Sequence, residues 1–130
     1  MKTLLPPGWP RPHGYCNGIE AEGRLVFIAG QIGWTPQGVF EERTLAGQFR
    51  QTLDNTLAVL REAQAGPEHV ARMTWYITDK PAYLAALTEI GEIWREKMGR
   101  HYPAMAVVAV QALIEDAALI EIETTAVIPR

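Results

Sequence analysis

Apolar and polar residues repeat with two different periods along this chain, and the switches between them mark its elements. Arg24–Ile32, RLVFIAGQI, is an apolar run of strand length, and the glycine inside it, Gly30, marks a bulge or a close approach to the backbone. From Thr44 to Ala65 the period lengthens. Leu45, Phe49, Thr52/Leu53, Thr56/Leu57 and Leu60 recur at three and four, the stripe of a half-buried helix, with Thr44 as N-cap and Gly66-Pro67 as stop. Val70–Thr78 returns to period two, with Ala71, Met73, Trp75 and Ile77 on one face. Asp79 or Lys80 with Pro81 opens a second helix, whose expected buried stripe is Leu84, Leu87, Ile90/Gly91, Trp94 and Met98, closed by Gly99. Upstream, Gly14–Ala21 reads as a short strand ending in the turn pair Glu22-Gly23. Residues 1–13 hold Pro6, Pro7, Pro10 and Pro12 and read as an arm ahead of a domain spanning 14–130.

The stretch from Tyr102 to Val127 organises the rest. Ala104–Leu113 is apolar on both faces, Met105, Val107, Ala109 and Leu113 on one and Ala106, Val108, Val110 and Ala112 on the other, so it needs cover on both. Leu119–Ile128 alternates instead. Ile120, Ile122, Ala126 and Ile128 share one face, and Glu121, Glu123, Thr125 and Val127 the other. The element order is β-β-α-β-α-β-β, an α+β single domain with two helices on one face of a mixed sheet. The second face of that sheet, carrying either Val26, Ile28 and Ile32 or the alternating set, has nothing left in the chain to cover it. Self-association with closed symmetry is the expected answer.

Composition narrows function mainly by exclusion. The 130 residues carry a net charge of −3 without a basic run, so no nucleic-acid partner is expected. Cys16 is the only cysteine, which excludes an internal disulfide and fits a reducing compartment; with no signal or spanning segment in view, a cytoplasmic location is expected. No phosphate-cradling glycine motif occurs, serine is absent, and His13, His69 and His101 have no metal-ligand spacing. No cofactor and no metal are expected. Cys16 lies near His13 in sequence, but nothing orients the pair, and a small buried side chain is the plainer reading.

Six segments in register resemble the Rid family, also called the YjgF-like or endoribonuclease L-PSP family: HGYCNGI at 13–19, VFIAGQI at 26–32, QTLDNTLAVL at 51–60, RMTWYITD at 72–79, YPAMAVVAV at 102–110 and LIEIETTAV at 119–127. The resemblance implies a chorismate-mutase-like fold, a barrel-like homotrimer and small-molecule clefts between subunits. It also implies hydrolysis of reactive enamines and imines to ketoacids and ammonia. By position it gives catalytic roles to Glu121, which would hold or activate a water, and to the cleft tyrosine Tyr15. It places Gly30, Gln31, Met105 and Ala106 against substrate. At one position the chain departs from the family: Met105 stands where deaminating members have an arginine. A guanidinium offers a fixed fork of donors to a carboxylate, whereas a thioether offers none. Ordinary 2-iminoacids are therefore expected to be poor substrates, with Arg100 the alternative source of a cation.

Three functions compete for these residues. Water addition to a small C=N electrophile leads. A trimer that binds a metabolite without turnover is the alternative. Ribonuclease or translation-inhibitor activity, the family's older label, is disfavoured because an acidic chain offers no basic groove for RNA.

Overall fold

A computed structural model describes all 130 residues. Its main sheet has four strands in the order β3 (Arg24–Ile32), β6 (Ile120–Ile128), β4 (Val70–Ile77), β5 (Ala104–Ala109). The β6 strand is antiparallel to both its neighbours, and β5 runs parallel to β4, so the sheet is mixed. Three helices lie along the connections: α1 (Leu45–Glu62), α2 (Lys80–Ala85) and α3 (Leu87–Met98). This is the α+β single domain that the alternating patterns imply.

Local chemistry accounts for most element ends. The Thr44 hydroxyl accepts from the Gly47 amide and caps α1. The Asp79 carboxylate accepts from Ala82 N–H and caps α2, with Pro81 in its first turn. The second helical segment is not continuous. The Ala86 amide is shared between the carbonyls of Ala82 and Tyr83, and the chain breaks there into α2 and α3. The break turns Leu84 and Leu87 away from the core, and both are about half exposed; Ile90, Ile93, Trp94 and Met98 supply the buried stripe instead.

The arm is partly ordered by pairing. Lys2–Leu4 (β1) forms an antiparallel ladder with Gly18–Glu20 (β2), a two-stranded sheet that the prolines further along the arm had obscured. The strand from Ala104 also stops at Ala109 rather than reaching Leu113. Its ladder is with β4, whose last residue, Ile77, stands opposite Ala109 and accepts from the Val110 amide; at its start Ala104 also bridges Cys16. Beyond that point the chain has no ladder partner.

The core lies between the sheet and the helices. Phe49, Leu53 and Leu60 from α1 and Met73, Ile120 and Ile122 from the sheet are fully buried, each side chain contributing roughly 1.5–3 kcal/mol. A line of rings, Phe49–Trp75–Trp94–Tyr102, crosses this layer with centroids 4.9, 5.9 and 6.1 Å apart. The opposite face of the sheet has no helix on it. There Leu25 is 60% and Phe27 75% exposed, and Val108 is exposed as well. No helix is long and apolar enough to cross a membrane.

Candidate functional site

Alternation along the strands, combined with their register, decides which candidate residues can meet. On β6, Ile120 and Ile122 face the helices, so Glu121 and Glu123 face the open side. Glu121 is opposite Tyr76 on β4 and Ile32 on β3. On β5, Met105 is opposite Met73 and Val107 opposite Trp75, so both face the helices, while Ala106 and Val108 face the open side. Within one chain, therefore, Glu121 and Met105 stand on opposite faces of the sheet. Tyr15 goes with Met105, Gly30 goes with Glu121, and Ala106 is exposed on the open face beside Thr74 rather than in the groove of Met105.

The groove on the helix side holds about 630 Å³, a size suited to a small ligand, between β5 and α3. Trp75, Trp94, Tyr102, Met105 and Leu87 form much of its wall, with Tyr15 and Arg95 at its edges. Tyr15 is brought there by its neighbour. The Cys16 thiol donates to the Tyr102 carbonyl at 2.8 Å, and the Cys16 amide donates to the Pro103 carbonyl at 3.0 Å. This pins the segment against the start of β5, so the lone cysteine has a structural task. Burial pushes the Tyr83 phenol, also in this wall, above the ordinary tyrosine value. Trp75 is buried and its indole N–H has no acceptor in the chain. Arg100 lies in a neighbouring cavity with Arg11, Cys16 and His101, not in the groove of Met105.

On the open face, the bulge in β3 falls where Gly30 was expected to make one, with the register slipping between Ile28 and Gln31. The Gln31 side-chain amide donates back to the Ala29 carbonyl at 3.0 Å and spans the bulge. Its side chain lies with Trp34 and Asn55, away from Glu121. Gly30 itself is covered by the Glu121 side chain: a Cβ at position 30 would stand 2.8 Å from Cδ and 3.0 Å from Cγ of that glutamate. The missing side chain is the space in which the carboxylate rests. Glu123, two residues on, accepts a hydrogen bond from the Tyr76 hydroxyl at 2.7 Å. That hydrogen bond, with the negative charges of Glu123 and Glu121, raises the Tyr76 pKa. Glu123 therefore joins two neighbouring strands, and Tyr76 as its partner could have been sought from its place in the alternation of β4.

Gln48 was missed by sequence reasoning because it sits one residue before Phe49 in the helical stripe. It is 1% exposed and fully satisfied. Its amide donates to the carbonyls of Ala117 and Glu42 at 2.9 and 3.2 Å, and its oxygen accepts from the Leu119 amide at 2.7 Å. These bonds tie α1 to the chain entering β6, and so fix the height at which Glu121 leaves the sheet. Asn55 does the same for β3, donating to the carbonyls of Ile32 and Trp34. No group of three His, Cys, Asp or Glu side chains is arranged to hold a metal ion.

A mixed four-stranded sheet with its helices on one face defines a small α+β domain. Comparison with known proteins gives the family directly. The Endoribonuclease L-PSP family profile matches residues 10–128. A RutC family protein of Synechocystis is 34% identical over 99% of this chain and 98% of its own length. TdcF of Escherichia coli, provisionally named a reactive intermediate deaminase, is 32% identical over 98% of this chain and 95% of its own. The crystal structure of the Rid-family protein YyfB from Yersinia pestis superposes with a TM-score of 0.85 at 35% identity, covering 98% of each chain. The chain belongs to the endoribonuclease L-PSP, or Rid/YjgF, family.

Proposed function

We propose that this protein hydrolyses small reactive imines or enamines to a carbonyl compound and ammonia, in clefts that two copies of the chain build together. The observation that carries the reading is the sidedness of the sheet. Tyr15 and Met105 line a groove on one face and Gly30 and Glu121 lie on the other, so one subunit supplies half of a site and its neighbour must supply the other half. The exposed Leu25 and Phe27 on one edge strand and Val108 on the other support the same association, because large apolar side chains left in water at both edges of an uncovered sheet face are suited to burial by a neighbour. A homotrimer is the closed form that joins three such pairs of halves.

In the cleft, Glu121 takes a proton from a water whose oxygen adds to the C=N carbon. The nitrogen gains a proton, the tetrahedral adduct collapses to C=O, and ammonia leaves. Tyr15, at the groove edge, donates its hydroxyl to the substrate. Glu121 and Tyr15 supply the base and the hydrogen-bond donor for these steps, so the reading calls on no cofactor. The relative named for reactive-intermediate deamination supports this choice of chemistry. Sedimentation and ammonia release test it together. A trimer that liberates ammonia from imines generated in situ supports the reading, and a micromolar monomer, or a trimer inert towards every imine class offered, refutes it.

A further inference from the structure

The groove beside Met105 has one permanent charge, and it comes from a helix. No aspartate or glutamate lines the groove, whereas Arg95 does. Arg95 follows Gly91 by one turn of α3, and its guanidinium folds back over that glycine, with Nη1 3.8 Å from where a Cβ at position 91 would stand. The ion pairs of the chain use Arg50, His69 and Lys97, so Arg95 has no carboxylate partner. Around it the wall is mainly aromatic and apolar, from Trp75, Trp94, Tyr102, Leu87 and Met105, with His13 the other basic side chain lining the groove. A free guanidinium beside a ring-lined groove complements a ligand that joins an anionic group to a flat apolar body.

We propose that Arg95 is the substrate anchor of this protein and that the groove takes a carboxylate with an aromatic body, the imine of an aromatic 2-oxo acid. This rests on reading the groove as the substrate-side half of the cleft. The carboxylate is held from α3, and the methionine on β5 becomes a soft wall for the ring. Arg100 has no part, because it opens onto the neighbouring cavity. Short 2-iminoacids lack the body that would fill the groove, so the charge alone holds them poorly.

Calorimetric titration of the intact protein with three stable probes tests the assignment. Phenylpyruvate carries both the ring and the carboxylate, pyruvate lacks the ring, and phenylacetone has a methyl group in place of the carboxylate. The expected order has phenylpyruvate tightest, with its affinity falling about 10–100-fold in Arg95→Gln, the loss of a charge-assisted pair. Arg95→Lys should recover part of that loss, and phenylacetone should bind equally to both proteins. Arg95 is exposed, so neither variant threatens the fold, and an unchanged melting temperature verifies that. Equal phenylpyruvate affinity in wild type and Arg95→Gln, an equal loss for phenylacetone, or no phenylpyruvate binding at all overturns the proposal. Binding needs no turnover, so the two readings separate. Arg95-dependent binding without ammonia release upholds the anchor and removes the hydrolase, while ammonia release with Arg95-independent binding does the reverse.

Discussion

Replacing Gly30 with alanine should disable the protein while leaving it folded. The added methyl group would overlap the Glu121 carboxylate and press within 2.8 Å of Cδ and 3.0 Å of Cγ, where ordinary carbon contacts are nearer 3.5–4.0 Å. The backbone need not move, because the obstructed atoms are the far end of one side chain. The carboxylate must instead rotate away by about 1 Å or more. A displacement of that size costs on the order of 10²-fold in turnover when the moved group acts directly on the reacting atoms. The stability cost should stay within ~1 kcal/mol, since the site is exposed and the collision is relieved by a rotamer change. Gly33→Ala is the matched contrast. Its Cβ would stand 2.8 Å from Cα of Gln48, which is helix backbone and cannot rotate aside, so ~1–3 kcal/mol of stability should be lost. Ammonia release and thermal melting, measured on both variants, separate the two kinds of clash. Full activity in Gly30→Ala would show that the position of the Glu121 carboxylate over the bulge does not matter. Unfolding of that variant would show that the bulge is a structural joint.

Three further outcomes follow from the same geometry. Glu121→Gln should lower turnover by roughly 10²–10⁴, whereas Glu123→Gln, which alters a hydrogen bond from Tyr76, should change it only a few-fold; equal losses would make the carboxylate face structural. Imines derived from serine, threonine or leucine should turn over far more slowly than with an arginine-containing relative, and Met105→Arg should raise affinity for small carboxylates; matched rates for the two proteins would refute the reading of Met105. Tyr76 and Tyr83 both ionise above the ordinary tyrosine value of 10.0, so each favours the fold below pH about 10 and gives up that contribution as pH rises through its raised pKa. Spectroscopic titration should find these two phenols ionising late, Tyr76→Phe and Tyr83→Phe should each remove one late phenol, and ionisation of either phenol at the ordinary tyrosine value would contradict the assigned cause.

Much of this architecture is written in local pattern. The α1 stripe, its Thr44 cap, the alternation of β6 and the bulge at Gly30 all follow from side-chain period and backbone chemistry within a few residues. The features that sequence left hidden depend on partners distant along the chain. Three residues of the arm form β1 only because Gly18–Glu20 lies beside them, and β5 ends at Ala109 only because β4 runs out. The halving of the proposed site is of this kind. Alternation separates Glu121 from Ile120 and Met105 from Ala106, but only the strand order and register show that the two named residues look in opposite directions. Tyr15, Gly30, Met105 and Glu121 all fall within the segments that resemble the family, whereas Arg95 lies outside them. It becomes visible once α3 is laid along the groove.

The central claim, that each cleft is shared between two subunits, is tested most directly by mixing two inactive proteins. One carries Glu121→Gln and keeps its groove; the other carries a filled groove, Met105→Trp, and keeps its carboxylate. Co-refolded in equal amounts, they should regain about a quarter of wild-type ammonia release, because a random closed assembly pairs an intact groove with an intact neighbouring carboxylate in about one cleft in four. Mixed assemblies that form, as mass spectrometry would show, and yet release no more ammonia than the parents would contradict the shared cleft.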